Sequence, residues 1–151
     1  ACAEWAAQQG WRVVGQARSA GAIAAGAALN RKPELFSAMI FDFPFLDLLG
    51  SMQNRDLPLT ERELSEWGDP DIASDLTSLK AICPFTNIKP AQYPPILITA
   101  GLDDREVGFW QSLTWASKLR SSKLDTNSIV VRILNGVDHS GPQAQGRAQE
   151  E

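Results

Sequence analysis

Trp11-Arg-Val-Val-Gly15-Gln-Ala-Arg-Ser19-Ala-Gly-Ala-Ile-Ala-Ala-Gly-Ala-Ala-Leu-Asn30 is the stretch that decides how this chain folds. It opens with a β-prone run, Trp11 to Gly15, passes through a serine flanked by small residues, and enters an alanine-rich helix former. Strand, sharp turn carrying Ser19, and helix together make a nucleophile elbow. Such a turn holds its serine in strained backbone geometry, so small residues are needed where strand and helix approach. Ala17, Gly21 and Ala22 fill those places. The helix aims its N-terminal N–H groups and positive dipole end at the serine, where an oxyanion would form. The usual Gly-x-Ser-x-Gly has become Ala17-Arg18-Ser19-Ala20-Gly21. By itself the stretch reads equally as an ordinary helix start.

A length of 151 residues suits one domain with a substantial core. Hydrophobic content of 44% and charged content of 21% are ordinary for a folded globular chain. A net charge of −4 leaves no basic footprint, which argues against nucleic acid as a partner. No apolar run approaches the roughly 20 residues of a membrane span, and no leader-like basic and apolar pair opens the chain. Cys2 and Cys83 form no metal or disulfide spacing, and a single histidine excludes a multi-histidine metal site. No metal and no cofactor is expected, and the compartment reads as reducing and cytoplasmic.

Taken in order, Ala1 to Gln9 reads as a helix stopped by Gly10, then comes the Trp11–Gly15 strand and a helix from Ala20 to Arg31. Pro33 to Ser37 starts a helical turn, Ala38 to Phe43 is an apolar strand ended by Pro44, and Phe45 to Met52 is a loop or short helix. Thr60 and Glu63 spell a capping box for a helix over Glu61–Glu66. Ile72 to Ala81 is a further helix and Cys83 to Pro95 a proline-punctuated loop. Ile96 to Ala100 is the clearest strand. From Val107 to Ser121, Trp110, Leu113, Trp115 and Leu119 mark the apolar face of a helix with Lys118, Arg120 and Lys123 near its end. Ile129 to Leu134 is the last strand, and the tail from Pro142 to Glu151 is polar without apolar periodicity.

Four strands alternating with helices predict an α/β fold with a parallel sheet. Ser19, Asp104 and His139 then each fall just beyond the C-terminal end of a strand, the edge where such sheets bind ligands. The order Ser, Asp, His is that of an α/β-hydrolase. A serine hydroxyl needs an adjacent base, and imidazole suits because its pKa lies near working pH. His139 is the one histidine, so a triad would have to use it. A carboxylate must orient the ring. Asp104 is the first choice and Asp103 the near alternative. Singly, a histidine in a glycine-containing loop is an ordinary surface residue, and paired aspartates after a strand are a turn. Their joint placement with Ser19 favours chemistry.

The runs RSAGAIAAGAALNRKPELFSA (18–38), PFLDLLGSM (44–52), LPLT (57–60), EWGDP (66–70), CPFTNIKPAQYPPILITAGLDD (83–104) and WASKLR (115–120) resemble the catalytic domain of the prolyl oligopeptidase family. Oligopeptidase B and prolyl endopeptidase-like members are the nearest in kind, and the likeness covers about Ala1 to Gly141. It implies a partial α/β-hydrolase fold of four parallel strands with flanking helices. The family elbow, Gly-x-Ser-Ala-Gly-Gly, lands on Ala17 to Ala22 and makes Ser19 the nucleophile. Both outer glycines are alanines here, which is expected to strain or shift the turn. Gly-Leu-x-Asp-x-x-Val matches Gly101, Leu102, Asp104 and Val107, supporting Asp104 over Asp103. Gly-His-Gly-Gly matches only loosely at Asp138-His139-Ser140-Gly141.

Oligopeptidase B-like enzymes cleave after Lys or Arg, and two glutamates before EWG receive that side chain. The first matches Glu63; the second falls on Ser65, with Glu66 beside it. Glu63 also reads as a plain capping-box residue. The resemblance implies a serine-type oligopeptidase acting on short peptides, with Ser19, His139 and Asp104 as triad and the Ala20 N–H as one oxyanion donor. An esterase or thioesterase on the same scaffold, or an inactive remnant, are the alternatives. Family members carry a β-propeller and strands upstream of the elbow, so the chain is expected to be a partial catalytic domain partnered by those missing parts.

Overall fold

A computed structural model describes residues 1–142. Of the polar tail, residues 143–151 lie outside the described residues. Strands β1 (Val14–Arg18), β2 (Ala38–Asp42), β3 (Ile96–Gly101) and β4 (Ile129–Leu134) form one parallel sheet in the order β1-β2-β3-β4. Spatial and sequence order coincide, so right-handed crossovers all advance in one direction and lay their helices on one face. Helix α2 (Gly21–Arg31) packs on β1, and α6 (Phe109–Ser122) on β3 and β4. The covered face carries Met39, Phe41, Ile96, Ile98 and Ile129, which join Leu29, Trp115 and Leu119 in the core. Each such side chain contributes about 1.5–3 kcal/mol on burial. Trp115 stands edge-on to Phe41 with ring centroids 5.2 Å apart.

The opposite face is open to solvent. Val14 on β1, Leu97 on β3 and Val130 on β4 are 57%, 41% and 49% exposed.

Helix α1 (Cys2–Gln8) ends where Gly10 turns the chain at φ +78°. The first strand starts at Val14, three residues later than Trp11. Pairing with β2 decides this, because the ladder runs from Val14 opposite Ala38 to Arg18 opposite Asp42 and reaches Ser19. Trp11 stays with α1, edge-on to Trp5 at 5.3 Å. A 3₁₀ turn follows at Pro33–Leu35. The loop-or-helix stretch after β2 contains α3 (Leu48–Gln53), and α4 (Thr60–Trp67) and α5 (Ala73–Ile82) follow.

Two further sequence expectations are corrected. The capping box does not form: the N-cap of α4 is Leu59, and the hydroxyl of buried Thr60 donates to the Ser51 carbonyl at 2.9 Å. Thr60 is instead the first helical residue with its hydroxyl committed to Ser51, and Glu63 lines a cleft. On α6 only Trp115 and Leu119 of the proposed stripe are buried; Trp110 and Leu113 are 49% and 42% exposed. The other buried residues of the helix are Gln111, Ser112 and Ala116. Lys118 and Arg120 donate to the carbonyls of Phe85 and Ile129, so they tie α6 to neighbouring segments.

Candidate active site

Ser19 sits between the last residue of β1 and the first of α2 at φ +50°, a left-handed conformation rare for a residue with a side chain. Three backbone bonds hold it there. Its N–H donates to the Asp42 carbonyl at 3.1 Å, and its carbonyl accepts the N–H groups of Ala22 and Phe45, both at 3.0 Å. The two alanines of the altered elbow do not open the turn. Ala22 is fully buried and Ala17 packs against the same core, so both methyl groups are absorbed by packing. Ala20 stands at the mouth of α2 beside Ser19.

At the end of β3, a Cβ on Gly101 would lie 2.2 Å from the Val137 carbonyl oxygen. Glycine here lets the loop after β4 settle against β3. Asp103 N–H then donates to that same carbonyl at 3.2 Å. The Asp104 side chain is almost fully buried, and its Oδ1 accepts the N–H groups of Glu106 and Val107, each at 2.9 Å. Its Oδ2 lies 2.7 Å from His139 Nδ1. On the other side of the ring, His139 Nε2 lies 2.9 Å from Ser19 Oγ. Three strand ends thus bring Ser19, His139 and Asp104 into one hydrogen-bonded line. Asp103 is exposed, and the ring meets Asp104. Where glycine precedes the histidine in the motif, Asp138 makes its own turn by accepting the Ser140 N–H at 2.9 Å on its side chain.

A cleft opens beside the serine, lined among others by Ala20, Met52, Glu63, Glu66, Trp67 and Glu106. Burial pushes the Glu63 carboxyl above its ordinary value. A hydrogen bond with the Trp67 side chain opposes this, and the charges of Glu66 and Glu106 add to it. Ser65 is exposed and outside the cleft lining; Glu66, its neighbour, lies in it. Two lining residues were not singled out in the sequence. Glu106 brings Oε2 to 3.8 Å from His139 Nε2, and its position two residues after Asp104 was a usable signal. Buried Gln111 accepts the N–H groups of Leu46 and Asp47 at 3.2 and 3.0 Å and donates to Ser51 Oγ at 3.0 Å, fixing the cleft's inner wall. Among the described residues, no three His, Cys, Asp or Glu side chains converge as a metal site requires.

The sequence profile of the prolyl oligopeptidase family matches residues 1–151. Protease 2 from Moraxella lacunata is 36% identical over 123 residues, covering 82% of this chain and 18% of that protein. A prolyl endopeptidase-like protein from Xenopus laevis is 42% identical over 113 residues, covering 73% of this chain and 16% of the other. The structure of oligopeptidase B from Leishmania major superimposes with a TM-score of 0.89 at 33% identity, covering 92% of this chain and 20% of that one. The chain therefore spans under a fifth of the length of the two sequence relatives. With a profile that matches throughout and a parallel sheet carrying its polar groups at the strand ends, this chain belongs to the prolyl oligopeptidase family and has an α/β-hydrolase fold.

Proposed function

We propose that this chain carries the catalytic centre of a serine peptidase that cleaves short peptides after Lys or Arg through an acyl-enzyme. The observation that supports it most is the unbroken line from Ser19 Oγ to His139 Nε2 at 2.9 Å and from His139 Nδ1 to Asp104 at 2.7 Å. With its Nδ1–H given to Asp104, the ring offers Nε2 as the acceptor for the serine proton. Oγ attacks the scissile carbonyl carbon as that proton moves to Nε2, and the oxyanion meets the Ala20 N–H. Collapse breaks the C–N bond, and Nε2 passes the proton to the leaving amine. Water then attacks the Ser19 ester with the same assistance, releasing the carboxylic acid and restoring the hydroxyl. Glu63 and Glu66 line the cleft beside the serine, a setting that suits a cationic side chain next to the cleaved bond.

A fluorophosphonate probe applied to the intact protein tests the nucleophile. Labelling is expected, and Ser19→Ala abolishes it; labelling that survives the substitution places the nucleophile elsewhere. Turnover of an arginyl amide then supports the peptidase reading. Hydrolysis of an acyl thioester with no amide cleavage would replace it by a thioesterase.

A further inference from the structure

The loop from 135 to 141 that carries His139 lies beyond the last strand and outside any regular strand or helix of the sheet layers. Bonds from Asp138 to Ser140 and Gly141 stay within it, and the bond between Val137 and Asp103 ties it to the end of β3. None of these reaches the elbow. Besides the ring's own bond to Ser19 Oγ, a contact that does is made by Arg18, the residue before the serine, whose guanidinium donates to the His139 backbone carbonyl. The same guanidinium lies over the Phe43 ring, 4.7 Å from its centroid. Phe43, held at φ +48° just past β2, stands edge-on to the His139 imidazole with ring centroids 6.1 Å apart. Gly141, at φ +82°, closes the cluster: a Cβ there would meet the Phe43 ring at 3.3 Å and the Arg18 guanidinium at 3.6 Å.

We infer that Arg18 is a positioning residue for His139, clamping the histidine's backbone to the elbow while Phe43 supports guanidinium and imidazole together. This rests on the triad reading above. The chemistry fits the residue type. A guanidinium stacks on an aromatic face through its plane and donates from its edge at the same time, which an ammonium does poorly. Because Arg18 and Ser19 are adjacent, the clamp fixes the imidazole relative to the nucleophile itself. A shift of about 1 Å between two reacting groups costs up to a hundredfold in rate.

The chain has one histidine, so the ultraviolet absorbance of the N-carbethoxyimidazole formed by diethyl pyrocarbonate reads this ring, whatever else the reagent acylates. Arg18→Met, folded by the criterion of an unchanged thermal transition, is expected to acylate several-fold faster than the parent. Its kcat falls about tenfold or more with KM unchanged, and Arg18→Lys lies between. Should Arg18→Met not fold, Arg18→Gln is read in the same way. A folded variant without the Arg18 cation that acylates at the parental rate overturns the inference. So does a variant whose KM rises while kcat stays constant. Acylation does not depend on what Ser19 does. A parent chain inert to the fluorophosphonate would sink the peptidase reading, while the histidine measurement still decides the role of Arg18.

Discussion

Asp104 meets His139 at 2.7 Å through Oδ2 while its other oxygen takes the N–H groups of Glu106 and Val107. The carboxylate is therefore aimed from behind by backbone, and only one of its oxygens is left for the ring. An amide in its place could turn its NH₂ toward Nδ1 and hold the imidazole in the wrong tautomer. Asp104→Asn is expected to lower kcat by about 10⁴-fold, the scale for a triad carboxylate replaced by its amide. Asp103→Asn, on an exposed neighbour, is expected to cost far less. Steady-state rates of the two variants check this, and the reverse order would refute the assignment.

Ser19 occupies left-handed backbone at φ +50°, a region that costs a side-chain-bearing residue about 1 kcal/mol or more. Glycine enters it without that cost. Ser19→Gly and Ser19→Ala are both expected to be inactive, but the glycine variant unfolds at the higher temperature. Differential scanning calorimetry of the pair decides the point. An alanine variant at least as stable as the glycine variant would mean that the elbow stores no strain.

Glu63 links stability to pH with a definite sign. Its carboxyl is raised above the ordinary 4.5 by burial and by neighbouring carboxylates, so the folded chain holds that proton more tightly than the unfolded chain. The resulting contribution to stability is present below the unfolded value and is lost as pH rises through the raised one. At neutral pH the ionised group therefore weighs against folding. Glu63→Gln is expected to raise the thermal midpoint at neutral pH, with the gain fading as pH falls through the raised value toward 4.5. If Glu63 receives a cationic side chain as proposed, the same change is expected to raise KM for an arginyl amide about tenfold, the loss of one charge-assisted hydrogen bond. A variant with unchanged stability and unchanged KM would remove Glu63 from the cleft's function.

Much of this was legible in the sequence because it is local. Each strand end shows as an apolar run followed by a polar group, and the order of Ser19, Asp104 and His139 follows from the chain. What escaped the reading depends on distant partners. Arg18 bonds a residue 121 positions away and Gln111 one 65 positions away, so neither carries a mark in its own surroundings. Trp11 has strand propensity, yet pairing with β2 set the boundary at Val14. Thr60 and Glu63 have the spacing of a capping box, and tertiary burial of Thr60 overrode it.

The open face of the sheet carries the last consequence. Ile40, Leu97 and Val130 lie in register on β2, β3 and β4, and Val14 adds to them on the edge strand. Leu97 and Val130 are 41% and 49% exposed, so an apolar row crosses a surface that parallel sheets ordinarily bury. Strand β1 also presents an unpaired edge among the described residues, which is a template for pairing with another copy. This chain by itself is therefore expected to bind a hydrophobic dye and to self-associate as its concentration rises. Leu97→Thr together with Val130→Thr keeps β-propensity and removes the apolar row, so dye emission and self-association both fall while the thermal transition is kept. Dye titration and sedimentation of the parent and the double variant test the claim. Emission that ignores both substitutions would locate the exposed apolar surface elsewhere, and a monomeric parent that binds no dye would show that this face is not sticky at all.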